Sequence, residues 1–317
     1  MHRNFVPTWH EVKGDNMKQN EDNKILSKPP KATIKSLGVI GLKKDENIIK
    51  MSTGFFLKFY EVSAIDSDKE LIHKLLSISY LRYRLTKIYK KSGNSIYLLT
   101  VFTKCNDYAE AKKVYDVFEK TQILRLSSCD FCKLFTLINF NFKEEVDKVS
   151  PKKIFNPTAD WKLLFYQQVE EKDKNIVVSE EKFSSTYISS FYSYSKENEI
   201  SPFAMPDIDY IIGYNFQRFN ESEHDAYMKM LSNEYNQEVS IKDDFINFSI
   251  MLNVFSKDEQ SLKKIKEAVK LNYFNHGLEL LDDYGMQKKA YESICSFGIT
   301  DFHNNIVIKE DNIDAFI

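Results

Sequence analysis

The sequence is poor in the residues that punctuate or cross-link a chain: nine Gly, seven Pro and four Cys in 317 residues. So little Gly and Pro excludes collagen-like and Gly/Pro low-complexity chains. Four cysteines are too few for a disulfide framework. Long apolar runs are also missing, since no stretch approaches the roughly 18 uninterrupted apolar residues that a spanning helix needs. The best runs, 54–60 and 134–140, are short and interrupted or flanked by Lys58 and Lys133. The opening residues MHRNFVPTWHEVKGD have no apolar h-region, so no secretory signal is expected. A cytoplasmic protein, able to lie on the inner face of the cell membrane, is the resulting expectation. Arginine is scarce: Arg3, Arg82, Arg84, Arg125 and Arg218 are the only five among 44 basic residues. Bidentate reading of bases or phosphates relies on the guanidinium fork and is disfavoured, whereas lysine supplies nonspecific attraction.

Catalytic signatures are missing as well. The glycines lie at 14, 38, 41, 54, 93, 213, 277, 285 and 298, and no G-x-x-x-x-G-K-[ST] occurs. A phosphate-cradling loop needs that Gly-rich backbone, so no P-loop is encoded. Gly38-Val39-Ile40-Gly41 lacks the third glycine of a dinucleotide fingerprint and falls within a strand pattern. Neither H-E-x-x-H nor G-x-S-x-G is present. The histidines at 2, 10, 73, 224, 276 and 303 stand at no ligand spacing from one another or from the cysteines. The chain does not read as an enzyme, and no cofactor and no metal is expected.

What the sequence does hold is core material. Hydrophobic residues make up 43% and aromatics 14%, with 24 Phe and 18 Tyr. That is ample to offset ordering entropy, so a wholly disordered chain is excluded. The length suggests two domains and a tail. Residues 1–150 hold 26 Lys and Arg against 18 Asp and Glu, a balance of +8; residues 151–317 hold 18 against 28, a balance of −10. Opposite fields suggest different neighbours for the halves.

Residues 1–31 are polar, end in Pro29-Pro30 and Lys31, and read as a flexible tail. A basic α+β domain is expected over 32–150 and an acidic one over 151–317, with the boundary in Glu144–Thr158, which contains Pro151 and Pro157. In the first, Ala32–Leu42 and Ile48–Ile65 read as antiparallel strands across a Lys-Lys-Asp-Glu-Asn turn. Ser67-Asp68-Lys69-Glu70 fits a capping box, and the helix behind it is expected to reach Lys91. Ser95–Phe102 reads as a strand, and Asp107-Tyr108-Ala109-Glu110 as a second box opening a helix to Lys120. Leu126–Phe140 fits helix or strand. Residues 159–206 read as an irregular strand pair, Leu163–Val169 and Phe183–Phe191. Further on, strands are expected at Ile208–Phe219, Phe245–Phe255 and Leu278–Leu281. Boxes are expected at Asn220–Glu223 and Ser256–Glu259, and a last helix at Tyr284–Ser296. The helix after Glu259 presents Leu262, Ile265, Val269 and Tyr273 on one apolar face. Strand, cap and helix recurring in both halves predict an α+β fold. The expectation is two ferredoxin-like or split βαβ sandwich domains with mostly antiparallel sheets.

Three local features carry candidate chemistry. Cys129 and Cys132 form a CxxC, yet a zinc site needs two further ligands and a redox site a helix N-terminus. Two small buried residues is the plainer account. The expected helix 68–91 places Leu71, Leu75, Ile78, Leu85 and Ile88 on one side at about 100° per residue, and Arg84, Lys87 and Lys91 on the other. Residues 69–91 hold seven basic residues against one acidic. Arg84, Lys87 and Lys91 are thus a candidate contact for anionic lipid or nucleic-acid phosphates, beside the plainer reading of a solvated basic face. Arg82 projects onto the apolar side. Asp243-Asp244 and Asp282-Asp283 read as solvated turn residues.

Two stretches carry a family resemblance. GVIGLKKDENIIKMSTGFFLKFYEVSAID (Gly38–Asp66) resembles the opening hairpin of the large ATPase of type IV secretion and conjugation machines (the TraC/TraE/ConE class). FSIMLNVFSKDEQSLKKIKEAVKLNYFNHGLELLDDYGMQKKAYESICSFG (Phe248–Gly298) is similar to the end of the same N-terminal region, where a strand phrase and a Ser-x-Asp-Glu-x-Leu helix lead towards the motor. The resemblance covers about residues 32–300 and includes no motif of the motor, so no catalytic residue carries over. It implies a non-catalytic assembly and docking module of a conjugative type IV secretion system. Its implied partners are inner-membrane channel proteins and a separate P-loop ATPase. Lipid or DNA could meet the basic half, and self-association into a homo-oligomer is compatible. The alternative is a single-stranded nucleic-acid-binding protein of a mobile element, stacking bases on sheet aromatics such as Phe55, Phe56, Phe59 and Tyr60.

Overall fold

Strands form where Ile, Val, Phe and Tyr cluster, and helices follow where a cap precedes an apolar face. In the computed structural model the described residues are 39–43, 46–62, 68–78, 81–89, 91, 95–121, 126–128, 168–172, 175–180, 184–195, 207–235, 244–275, 278–281, 287 and 306–315. The expected tail 1–31, the Glu144–Thr158 boundary, the Ser67 cap, Cys129, Cys132 and the helix Tyr284–Ser296 apart from Gln287 lie outside them.

Val39–Lys43 (β1) and Ile48–Met51 (β2) make the expected hairpin, with Asn47 in the left-handed region at φ 54°. The single strand expected over Ile48–Ile65 is in fact two. The chain turns after Met51, and Phe55–Val62 (β3) runs back against β2. Gly54 permits that turn: its φ is 84°, and its N–H donates to the Met51 carbonyl at 3.1 Å. Asp68–Ile78 (α1), Arg82–Tyr89 (β4), Ser95–Lys104 (β5), Tyr108–Lys120 (α2) and Leu126–Ser128 (β6) follow. β5 lies between β3 and β4, antiparallel to both, and β3 lies between β5 and β6. Thus β3–α1–β4 and β5–α2–β6 are interleaved split βαβ units, the ferredoxin-like order β6-β3-β5-β4.

The second half adds Gln168–Lys172 (β7), Asn175–Glu180 (β8), Ser184–Ser195 (β9) and Tyr210–Arg218 (β10). Glu221–Tyr235 (α3), Phe245–Ser256 (β11), Glu259–Asn275 (α4), Leu278–Leu281 (β12) and Ile306–Lys309 (β13) complete it, with a 3-10 helix over Glu310–Ala315. Where a strand pair was expected between 159 and 206, the described residues form three strands. β11–α4–β12 is again a split βαβ unit, closed around β9. The two halves share one sheet. β4 pairs antiparallel with β10 from Tyr83↔Phe216 to Tyr89↔Tyr210, giving the order β1-β2-β3-β5-β4-β10-β11-β9-β8-β7. Three strands divide an edge between two neighbours. β2 and β6 share β3, β9 and β13 share β11, and β8 and β12 share β9.

One sheet face carries the apolar core. Phe56, Tyr60, Leu99, Val101, Tyr83, Leu85, Ile212, Tyr214, Ile250 and Leu252 cluster with Leu71 and Leu75 of α1, Tyr115 and Phe118 of α2, and Leu262, Val269 and Tyr273 of α4. The Tyr115 hydroxyl donates to the Phe56 carbonyl at 2.8 Å, fixing α2 over β3. Beside it, Lys58 pairs with Glu119 near the C-terminal end of α2 at 2.7 Å, and the Tyr60 hydroxyl donates to the same carboxylate at 3.0 Å. Burial first and Glu119 second push the Tyr60 phenol well above its ordinary value.

The caps follow the sequence with one displacement. Asp107 accepts from the Ala109 and Glu110 N–H groups at 2.8 and 2.9 Å, and Asn220 and Glu223 exchange both bonds of a full box at 3.0 Å each. At α4 the expected Ser256 cap is overturned. Asp258 accepts from the Ser261 N–H at 2.7 Å, while the Ser256 hydroxyl only receives the Asp258 N–H at 3.4 Å. Ser256 still belongs to β11, and the residue adjoining the first helical position is Asp258, where a carboxylate also meets the positive helix end.

Hydrogen bonds from Ser261, then Gln260, hold the Asp258 carboxyl below its usual range, with Lys264 adding a smaller pull. Stability from that ionised cap is present above the unfolded value of about 3.9 and lost as pH falls through the lower folded value. Asp258→Ala is therefore expected to lower the melting temperature at neutral pH, with the deficit narrowing below about pH 4. Circular-dichroism melts at both pH values check this; an unchanged deficit would remove the charge from the account.

Candidate functional site

The basic residues singled out in the sequence do not share a surface. The helix expected to reach Lys91 ends at Ile78, and the residues from 82 form β4. Arg-Tyr-Arg-Leu-Thr-Lys-Ile-Tyr holds two tyrosines and two β-branched residues, and its first five residues alternate polar and apolar, which a sheet accepts better than a helix. Alternation sends Arg84 and Lys87 to opposite faces, though a helical projection puts them together. Arg84 is buried at 1% exposure. Lys87 is half-buried with its ammonium 5.4 Å from the Tyr97 ring. Lys91 is exposed in the turn after β4, its N–H donating to Asp209 at 2.8 Å and its ammonium 3.9 Å from Asp207. Arg82 lies against aromatic rings, 5.2 Å from Phe102 and 6.0 Å from Phe55.

The other candidates are placed as follows. Asp244 is exposed and lies 3.9 Å from Arg218, which forks onto Glu310 and ties the 3-10 helix to β10. Asp243, Asp282 and Asp283 lie outside the described residues. Among the described residues no cluster of three His, Cys, Asp or Glu could hold a metal ion.

What the fold does assemble is a buried polar row across the seam between the halves. On the face opposite the apolar core, Thr100, Arg84, Asn215 and Ser249 stand side by side on β5, β4, β10 and β11. All four are buried. Arg84 Nε donates to Asn215 Oδ1 at 2.5 Å, and Asn215 Nδ2 donates to Ser249 Oγ at 3.1 Å. Arg84 Nη2 reaches Met251 Sδ at 3.5 Å, so this one side chain crosses β10 and touches β11. It passes beside Gly213, where a Cβ would stand 3.9 Å from Arg84 Cδ and Nε. Burial, then the Arg82 charge, brings the guanidinium down to about 9. Two residues past Met251 on the same face, Asn253 is fully buried with neither side-chain amide atom hydrogen-bonded.

The open end of the seam is latched by carboxylates. The Tyr89 hydroxyl donates to Asp207 at 2.9 Å, the Tyr89 and Tyr210 rings stack at 4.9 Å, and Asp209 takes the Lys91 N–H. The bond to Asp207, followed by desolvation, raises the Tyr89 phenol. Sequence reading missed the polar row, although its signal was available. Arg84 and Thr86, Asn215 and Gln217, and Asn247 and Ser249 are polar pairs two apart within strands that are largely apolar elsewhere, and Asn253 stands four beyond Ser249. Chemically the arrangement is a joint: directional bonds that fix how one half pairs with the other.

Arg84→Met strips Asn215 of a charged donor and is expected to cost about 2–3 kcal/mol in urea denaturation. Gly213→Val is expected to cost about 1–3 kcal/mol by crowding Arg84, whereas Gly213→Ala is tolerated. Equal midpoints for the two Gly213 variants would mean that Arg84 does not lie across β10. In comparison with known proteins, the sequence matches no family model and no curated relative.

Proposed function

We propose that this chain is a non-catalytic assembly module of a conjugative type IV secretion apparatus, docking on inner-membrane channel proteins and positioning a separate P-loop ATPase. The observation that carries this reading is the electrical polarity of a single sheet. Among the described residues, 39–128 hold 13 Lys and Arg against 8 Asp and Glu at one end of the strand order, and 168–315 hold 9 against 17 at the other, joined by the buried row at β4–β10. Such a plate offers two surfaces of opposite sign at a fixed separation, which suits an adaptor between two partners. The two stretches that resemble the secretion ATPases fall one in each half, on β1–β3 and on β11–α4–β12. In this reading the protein works in the cytoplasm, peripheral to the inner face of the membrane. Among the described residues no helix is long and apolar enough to cross a membrane.

The rival reading, a single-strand nucleic-acid binder, calls for exposed aromatics on which bases can stack. Phe56, Phe59 and Tyr60 are at most 1% exposed, Phe56 and Tyr60 beneath the helices and Phe59 on the other face. That burial favours docking over base stacking at these positions.

Affinity purification of the tagged full chain from cells expressing the channel proteins and the ATPase is the direct test. Recovery of both partners at low salt, weakening as salt rises, is expected, together with no ATP turnover by the chain alone. Salt-sensitive binding to single-stranded DNA with neither protein recovered would transfer the assignment to the rival.

A further inference from the structure

α4 turns Leu262, Val269 and Tyr273 into the core, so at about 100° per residue its opposite side is centred on Leu271. Around that centre lie Gln260 and Lys264, then Glu267 and Asn275, then Phe274 and Lys263, while Lys270 is half-buried on the flank toward the core. Leu271 is 61% exposed and Phe274, one turn on, is 50% exposed. Single exposed apolar residues are ordinary, but a pair at i, i+3 framed by lysines is an amphipathic surface. The helix carries Lys263, Lys264, Lys266 and Lys270 against Glu259 and Glu267, although the half that contains it is acidic overall.

The residue types decide what this surface fits. Protein–protein interfaces are enriched in Arg, Tyr, Trp and Met and depleted in Lys, and their strongest contacts seldom involve Leu. Lysine is a point charge on a long apolar stem, which needs no fixed geometry and can lie along lipid while its ammonium stays among headgroups. Bidentate recognition of a defined phosphate would call for arginine, and α4 has none. We propose that the outer face of α4 is an anionic-lipid contact. Leu271 and Phe274 enter the boundary between headgroups and acyl chains, and Lys263 and Lys264 sit at the lipid phosphates. Two apolar side chains reach only shallowly, so the contact is reversible and salt-sensitive. This rests on the reading of a module that lies against a membrane and names the surface by which it does so.

The test is co-sedimentation of the full chain with phosphatidylcholine vesicles, with and without phosphatidylglycerol. Leu271→Ser with Phe274→Ser and Lys263→Glu with Lys264→Glu are compared, each double variant checked for an unchanged melting temperature. Binding only to the phosphatidylglycerol vesicles, weakened about tenfold or more in each double variant, is the expected result. Three results would overturn the proposal: no binding by the parent to either vesicle, full binding by both double variants, or a parent that self-associates through this face and loses that association in the variants. Full binding by the variants leaves the membrane reading standing and moves the contact elsewhere. Recovery of the channel proteins, measured separately, is untouched by any of these results.

Discussion

The joint between the halves hangs on one side chain that a helical projection would have placed in water. Arg84 leaves β4, crosses β10 beside Gly213, bonds Asn215 and ends against Met251 on β11. Burying a guanidinium is unfavourable unless its donors are met. Asn215 meets one with a carboxamide oxygen and passes a bond on to Ser249. The return is specificity. An apolar seam would pair β4 with β10 in more than one alignment, whereas this row is satisfied in one. Gly213 is the counterpart of Arg84: without a side chain there, a long one can lie flat.

Most of the secondary structure was legible because local signals agreed with the fold. β5, α2, β10, α3, β11 and α4 stand within a few residues of their expected places, and Asn220 with Glu223 makes the anticipated box. The misreadings have physical causes. Residues 82–89 satisfy an apolar period of 3.6 well enough to extend a helix, yet 82–86 also alternate, and pairing with both β5 and β10 decides for the strand. Ile48–Ile65 is broken by a glycine whose turn conformation no periodicity announces. The Ser256 cap was lost because β11 runs longer than its apolar residues suggest, leaving Asp258 beside the first helical residue.

The candidate contact fared differently from the fold. Lys-rich segments draw attention as surfaces, but Arg84, Lys87 and Lys91 occupy a buried row, a half-buried opposite face and an exposed turn. What sequence inspection passed over was polarity inside strands, where a side chain every second residue is committed to the same neighbours. The charge imbalance between the halves was legible from counting alone. The pairing of β4 with β10 places the basic and acidic described residues in one sheet.

Three strands in this sheet serve two neighbours along a single edge: β3 for β2 and β6, β11 for β9 and β13, β9 for β8 and β12. Such forks tie the register of one strand to three others at once. If β3 slid by one position, its buried side chains would flip to the wrong side against β2, β5 and β6 at once. A one-residue slip is therefore opposed at three pairings, where a strand in a lone hairpin has one.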